Sequence, residues 1–216
     1  MKKISKIKFK ILDSFKLNWM IILILWTIVS TILFSIERTY LKEISTIPIT
    51  DIILSNIPSV DVSWLFTYGC FLPEIILLIF LIFKKNFKTF FYFYYLMIIV
   101  SIIRLLFNMM THLKLPTGAI KTKYLTDIFL ENDLFFSGHV ALPFLYFLIF
   151  WKVKDKKWAY FWLFSTISMA ITVLLMKAHY TIDVMAAPFI TFTIFYFTDW
   201  YLNKIYNINI IQEYKK

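Results

Sequence analysis

The segment His179-Tyr180-Thr181-Ile182-Asp183 places an imidazole and a carboxylate four residues apart, at the edge of a strongly apolar stretch. If this segment is helical, the two side chains lie on one face and Asp183 can reach His179. A carboxylate bonded to one ring nitrogen fixes the tautomer and leaves the other nitrogen free and more basic. A purely structural polar contact also fits this spacing, so the rest of the chain must decide between the two interpretations.

A second polar group, Ser137-Gly138-His139, lies at the predicted start of another apolar stretch, shortly after Asn132 and Asp133. It offers a hydroxyl, a second imidazole, and a glycine that lets backbone N–H groups approach an anion. A glycine-containing turn with a histidine at the interface is the simple alternative. Together the two groups would suit phosphoryl transfer, because one imidazole could act as nucleophile and the other could protonate the leaving oxygen.

These groups occur in an unusually apolar chain. Its 216 residues are 60% hydrophobic and 20% aromatic, with only 3 Gly, which is typical of a membrane protein rather than a soluble domain. Cys70 is the single cysteine, so the chain has no intrachain disulfide and no cysteine-based metal site. We therefore expect one all-α polytopic membrane protein, a bundle of six transmembrane helices with an N-terminal amphipathic helix.

The expected domain of six spans covers residues 19–201. Residues 1–18 alternate lysines with apolar residues, which predicts a retained amphipathic helix on the membrane surface, with a cleaved signal peptide as the alternative. Residues 37–63 form a polar connection, and residues 202–216 a cytoplasmic tail. From apolar runs close to the roughly 20 residues that cross a bilayer, the spans are expected at 19–36, 64–83, 89–110, 134–151, 158–176 and 184–201.

The distribution of positive charge predicts the orientation. Of the 23 Lys and Arg residues, 16 lie in the N-terminal segment, the 84–88 and 152–157 turns, and the C-terminal tail. Lys and Arg concentrate on the cytoplasmic side, so both termini are expected in the cytoplasm, with the motifs at 131–140 and 177–184 facing the outer side of the plasma membrane. Topology thus accounts for the net charge of +10 without a nucleic-acid partner.

The two motifs also resemble those of a known family. Asp-Leu-Phe-Phe-Ser-Gly-His at 133–139, followed by His-Tyr-Thr-Ile-Asp-Val at 179–184, looks like the paired signatures of sphingomyelin synthases and their relatives. These enzymes belong to the type 2 phosphatidic acid phosphatase superfamily. The second signature is matched nearly letter for letter, and the resemblance extends from about Asp61 to Trp200.

The resemblance implies a catalytic role for three residues. His179 would be the nucleophile, Asp183 its partner, and His139 the general acid and base. The implied mechanism needs no metal and no other cofactor. A metal site that includes His112 is possible on the outer side, but its spacing supports it poorly.

Further correspondences concern the phosphate and the head group. Arg104, followed by Thr111 and Leu115-Pro116, is similar to the family's Arg…Thr…Leu-Pro segment, although two residues longer, and it would pair with phosphate or reach the interface. Glu74 matches a family glutamate and could stabilise a cationic head group, assist proton transfer, or be a protonated structural carboxyl. The remaining candidates for binding the phosphate or head group are Lys177, Ser137, Gly138, Asp133 and Tyr180.

Departures from the family pattern leave the head group and the acceptor open. Lys177-Ala178 stands where sphingomyelin synthases carry His-Asp, and Asn132 and Val140 replace a glycine and a threonine. The superfamily's Ser-Arg before the last histidine is also absent. We expect a lipid phosphotransferase or phosphohydrolase that uses a phospholipid, with ceramide, diacylglycerol or water as acceptor. The alternatives are a phosphatase acting on phosphatidate, phosphatidylglycerol phosphate or a polyprenyl diphosphate, a small transporter or scramblase, and a degenerate structural partner.

Overall fold

The computed structural model describes residues 21, 24–41, 47–120, 134–206 and 208–215. The expected amphipathic segment 1–18 and the candidate Asp133 lie outside these residues. Within the described ranges the chain forms no strand, only an isolated bridge between Ile47 and Leu113, so the predicted all-helical fold is confirmed. The helices described are α1 (Ile24–Leu41), α2 (Ile52–Asn56), α3 (Ser63–Lys84), α4 (Phe87–Met110), α5 (Gly138–Lys152), α6 (Lys156–Leu175), α7 (Thr181–Tyr206) and α8 (Ile210–Tyr214).

Five of these helices, α1, α3, α4, α6 and α7, are long and apolar enough to cross a membrane, which indicates an integral membrane protein. Helix α5 is equally apolar but has only 15 residues, fewer than the roughly 20 that a span needs. The span expected at 134–151 is shorter because residues 134–137 are not helical. The amide of Ser137 donates instead to the carbonyl of Asp183 at 3.1 Å.

The first connection is shorter than expected and contains a helix of its own. Helix α1 continues through Glu37 to Leu41, and both side chains are buried, so this end of the helix packs against the bundle. Helix α2 begins after Asp51, whose carboxylate accepts hydrogen bonds from the amides of Ile53 and Leu54, both at 3.0 Å. A capping carboxylate satisfies N–H groups that have no partner within the helix.

The C-terminal residues also differ from the expected tail. Helix α7 continues to Tyr206, and the short helix α8 follows. The Glu213 carboxylate of α8 accepts from the Lys88 ammonium at 3.2 Å, and its carbonyl accepts from the Asn86 side chain at 2.6 Å. The Tyr214 hydroxyl donates to Asp155 at 2.6 Å. These contacts bind the C-terminal segment to the lysine-rich ends of α3, α4 and α5, which we call the basic end of the bundle.

Helix α5 occupies the centre of the bundle and packs against α4, α6 and α7. Aromatic pairs fill this core: the ring centroids of Tyr146 and Trp162 are 4.8 Å apart, and those of Phe93 and Phe150 are 5.3 Å apart. Helices α3 and α6 approach closely at Gly69, where a Cβ atom would lie only 2.8 Å from the sulfur of Met169.

At the opposite end of the bundle, the connections between helices are joined by hydrogen bonds. The amide of Val60 donates to the carbonyl of Leu175, and the amide of Ile120 donates to that of Met176, both at 2.9 Å. The connections at this end of the bundle therefore meet one another. We call this region, formed by residues 47–62, 111–120, 134–139 and 176–183, the site end.

Candidate active site

The start of helix α7 positions the His179 motif. Helix α7 begins at Thr181, so His179 lies before the helix, in a turn where Lys177 adopts a left-handed φ of 52°. The expectation of two side chains on one helical face is therefore corrected. Asp183, in the first turn of α7, reaches back instead, and its Oδ2 accepts from the Tyr180 amide at 2.8 Å. This is the carboxylate half of a capping box.

The same carboxylate oxygen lies 3.6 Å from Nδ1 of His179. This distance is longer than a hydrogen bond, yet short enough for strong attraction if the imidazole is protonated. Both side chains are buried, with 3% of His179 and none of Asp183 exposed. Because Asp183 faces Nδ1, Nε2 is the ring nitrogen that remains for chemistry.

The second imidazole, His139, lies beside the first. His139 is in the first turn of α5, and its ring centroid is 5.7 Å from that of His179, with the planes at 64°. The ring of Phe66, from α3, contacts His139 with a centroid distance of 4.4 Å. Both nitrogens of His139 are shielded from solvent. The structure thus brings the three expected catalytic side chains, His139, His179 and Asp183, together.

A backbone hydrogen bond connects the two motifs, from the Ser137 amide to the Asp183 carbonyl. Three polar atoms around this bond are buried and have no hydrogen-bond partner among the described residues: Ser137 Oγ, Asp183 Oδ1 and His179 Nδ1. Unsatisfied buried polar atoms are rare in folded proteins, and each calls for an explanation such as a catalytic role. Their grouping around one contact marks this place as the candidate active site.

Arg104 lies against the same motif. Its Nε donates to the carbonyl of Phe136 at 2.7 Å. A Cβ atom on Gly138 would be only 3.0 Å from that Nε and 3.3 Å from the guanidinium carbon, so glycine is what lets the arginine lie across the start of α5. A guanidinium held in this way is well suited to bind phosphate oxygens.

Two other expected site residues, Lys177 and Glu74, have contacts with other parts of the chain. Lys177 packs beside Gly118. A Cβ atom added to Gly118 would be 3.9 Å from the ammonium nitrogen of Lys177. Glu74 accepts a hydrogen bond from the Tyr146 hydroxyl at 2.8 Å. Tyr146 is two turns along α5 from His139, a rise of about 10 Å, so the Glu74 pair lies deeper in the bundle.

The hydroxyl of Tyr180, an expected binding residue, forms hydrogen bonds with two connections of the site end. The phenol accepts from the Ile49 amide at 3.1 Å and donates to the Lys114 carbonyl at 2.8 Å. Burial raises the pKa of Tyr180, so the phenol keeps the proton that it donates. Tyr180 thus holds three segments of the site end together.

Asp51 was not among the expected site residues. Its carboxylate accepts from the amide of Thr181 at 2.6 Å and from the hydroxyl of Thr181 at 3.0 Å. Burial acts to raise the pKa of Asp51, but hydrogen bonds from Leu54, Thr181 and Ile53 outweigh it and hold the pKa below its usual value. An aspartate before an apolar run indicates a helix cap in the sequence. The contact with Thr181, 130 residues away, has no such signature.

No group of three or more His, Cys, Asp and Glu side chains within the described residues is arranged to hold a metal ion. His112 forms a hydrogen bond with the Tyr40 hydroxyl at 3.0 Å, and its side chain is exposed. The structure therefore does not bring His112 to the pair of histidines at the site.

Comparison with protein families adds an independent observation. Residues 132–201 match the family model described as PAP2 superfamily C-terminal. The match includes His139, His179 and Asp183, and it supports the resemblance to the type 2 phosphatidic acid phosphatase superfamily, whose members are phosphatases and phosphotransferases. No curated protein and no solved structure matches the chain.

Proposed function

We propose that this protein is a lipid phosphotransferase or phosphohydrolase of the membrane that cleaves a phospholipid ester through a phosphohistidine on His179. The observation that carries the proposal is the pairing of two imidazoles, 5.7 Å apart, with the Asp183 carboxylate 3.6 Å from Nδ1 of one of them. In this arrangement one imidazole can attack phosphorus while the other protonates the departing oxygen.

In the first step, Nε2 of His179 attacks phosphorus and a nitrogen–phosphorus bond forms. The bond from phosphorus to the lipid alcohol breaks, and its electron pair leaves with the oxygen, which takes a proton from the His139 imidazolium. Asp183 holds the ring of His179 in orientation and stabilises the positive charge that develops on it.

In the second step, neutral His139 removes a proton from water or from a lipid hydroxyl as that oxygen attacks the phosphohistidine. The nitrogen–phosphorus bond breaks, His179 is restored, and the phosphoryl or phospho-head group leaves on the acceptor. The roles of His139 thus alternate between acid and base, which restores the enzyme after each turnover.

Several side chains would hold the phosphate during these steps. Arg104 and the Ser137 hydroxyl adjoin the histidines, and the backbone near Gly138 supplies N–H donors. Lys177 would contribute positive charge at the edge of the site. The position of Glu74 deeper in the bundle favours a role in head-group or acceptor binding, or in proton transfer. We also propose Asp133 and Tyr180 as candidates for binding the phosphate or the head group.

We further propose a sphingomyelin synthase-like reaction, in which a phospholipid donates its head group to ceramide or diacylglycerol. The basic end, with Lys84, Lys88 and Lys152, would face the cytoplasm together with both termini, and the site end would face the outer side of the plasma membrane.

A phosphatase that acts on a terminal phosphate is the second candidate. Lys177-Ala178 stands where sphingomyelin synthases carry His-Asp, and a lysine favours a substrate with more negative charge. Such an enzyme would use the same three catalytic residues but would accept only water.

The test is to incubate the purified protein in mixed micelles with labelled phosphatidylcholine, phosphatidylethanolamine or phosphatidate, with and without ceramide. Diacylglycerol and a labelled ceramide product would establish the transferase. Inorganic phosphate from phosphatidate alone would establish the phosphatase, and diacylglycerol with a soluble phospho-head group a phospholipase C-like hydrolase. Equal turnover by His179→Ala would contradict the proposal.

A further inference from the structure

The first connection reaches over to the start of α7 and binds it directly. Asp51 caps α2 through Ile53 and Leu54, and the same carboxylate accepts two hydrogen bonds from Thr181. The amide of Thr181 is one of the N–H groups at a helix start that no carbonyl within the helix can satisfy. Asp51, 130 residues away in the sequence, supplies the acceptor for this amide.

This contact fixes the backbone immediately after His179. Thr181 is two residues beyond His179, and Tyr180 between them is held by Asp183 through its amide and by Ile49 through its hydroxyl. The connection from His179 into α7 is thus attached at consecutive residues to parts of the chain that lie outside the helix.

We infer that Asp51 is a positioning residue for His179, acting through Thr181 to hold the start of α7 against the first connection. The inference rests on the proposed function, since it assigns Asp51 to the phosphoryl-transfer step. The reason is geometric: a nucleophile must be aligned with phosphorus, and a displacement of about 1 Å can cost about 100-fold in rate. Asp51 therefore acts through Thr181 and not as a catalytic residue.

The alternative is that Asp51 serves only to cap α2, and the chain offers a matched control for this. Asp61 is a second aspartate of the site end that bonds to the first residue of a helix, accepting from the Ser63 amide at 3.0 Å and from the Ser63 hydroxyl. It binds the start of α3 rather than the start of α7. Asp61→Asn therefore removes a carboxylate charge beside another helix start in the same region and leaves the contact between Asp51 and Thr181 intact.

Two variants at Thr181 separate the roles further. Thr181→Val removes only the hydroxyl bond and leaves Asp51 free to cap α2. Thr181→Ser keeps the hydroxyl and should restore wild-type behaviour. Together with Asp51→Asn, which removes the charge, these changes separate the contribution of the carboxylate from that of the hydroxyl bond.

The experiment measures kcat and KM of the full-length variants in mixed micelles, using the substrate that the wild type turns over. We expect Asp51→Asn to lower kcat by about 10- to 100-fold and Thr181→Val by about 3- to 10-fold, with KM within about twofold, because the positioning of the nucleophile is lost and lipid binding is not. Asp61→Asn and Thr181→Ser should match the wild type. Hydrogen exchange of residues 178–184 should accelerate in Asp51→Asn but not in Asp61→Asn.

Wild-type kcat in both Asp51→Asn and Thr181→Val would overturn the inference, as would an equal loss in Asp61→Asn. The failure of the proposed function is distinguishable, because then the wild type itself turns over no phosphate ester, or His179→Ala turns it over equally well. In that case the exchange measurement decides about the positioning, and equal exchange at 178–184 in the two aspartate variants overturns it.

Discussion

Helix α7 carries a shielded aspartate near each of its ends, Asp183 at the site end and Asp199 at the basic end. Both oxygens of Asp199 are bonded: Oδ1 accepts from the Tyr92 hydroxyl at 2.6 Å, and Oδ2 forms an ion pair with Lys152. Asp183 is more deeply buried, yet only its Oδ2 is bonded, to the Tyr180 amide. Its Oδ1 has no hydrogen-bond partner within the described parts of the chain.

The difference shows how one helix serves two purposes. At the basic end, the polar groups of Asp199 and Glu213 find oppositely charged partners, as expected for a structural network that fixes packing. At the site end, Asp183 and its neighbour Ser137 keep unsatisfied atoms in a buried position, which costs stability. Such a cost is typical of a functional site, where buried polar side chains must interact with a substrate.

Within this comparison, the largest expected loss of activity is at His139, the second imidazole of the site end. Replacing it with glutamine should lower kcat by about 10²- to 10⁴-fold, because the leaving oxygen loses its proton donor. The thermal unfolding midpoint of the full-length protein should change little. Steady-state kinetics in mixed micelles test this prediction, and a variant with wild-type kcat would exclude His139 as the acid and base.

The next effect compares the two aspartates directly. Asp183→Asn should lower kcat by about 10²- to 10³-fold, less than the loss of about 10⁴ in a hydrogen-bonded triad, because its carboxylate is 3.6 Å from the imidazole. Asp199→Asn should lower the free energy of unfolding by about 1–3 kcal/mol, since an ion pair with Lys152 is lost, and leave kcat within about twofold.

Kinetics and thermal unfolding of both variants decide the point. The assignment of Asp183 to catalysis would be contradicted if Asp183→Asn lost thermal stability and kept a normal kcat. The assignment of Asp199 to structure would be contradicted if Asp199→Asn kept its stability and had a low kcat. The Asp199 variant is the matched control, because the same substitution is made in the same helix.

A smaller effect is expected at Gly138. Gly138→Ala would place a Cβ atom 3.0 Å from the Arg104 Nε and so displace the guanidinium. We expect kcat/KM to fall by about 10-fold, equal to the loss of one hydrogen bond to a charged group. Gly69→Ala is a useful contrast, because it disturbs a contact with Met169 rather than one with Arg104. It should affect thermal stability rather than kcat/KM, and the reverse pattern would contradict this role of Gly138.

The helices and the two motifs could be predicted because they depend on local patterns. Long apolar runs bounded by lysines indicate spans, and the predicted end of the 89–110 span coincides with the end of α4 at Met110. The pairing of His139 with His179 could be expected once both motifs were placed on one side of the bundle.

The remaining features depend on contacts between distant residues. His179 lies outside the helix because the connection turns at Lys177, and Asp51 joins the site because it binds Thr181 from another connection. The fourth span is shorter than its apolar run because Ser137 bonds to Asp183 rather than to its own helix. None of these pairings has a periodicity or a motif that could reveal it.

The central claim is that His179 becomes covalently bonded to phosphorus. The most direct measurement is to quench the enzyme rapidly during turnover of a substrate carrying ³²P in its phosphate, and to follow the label on the protein. The account predicts a label that is stable to alkali and labile to acid, as a nitrogen–phosphorus bond requires, and that is absent in His179→Gln. A label that persists in His179→Gln, or one that is stable to acid, would contradict the mechanism.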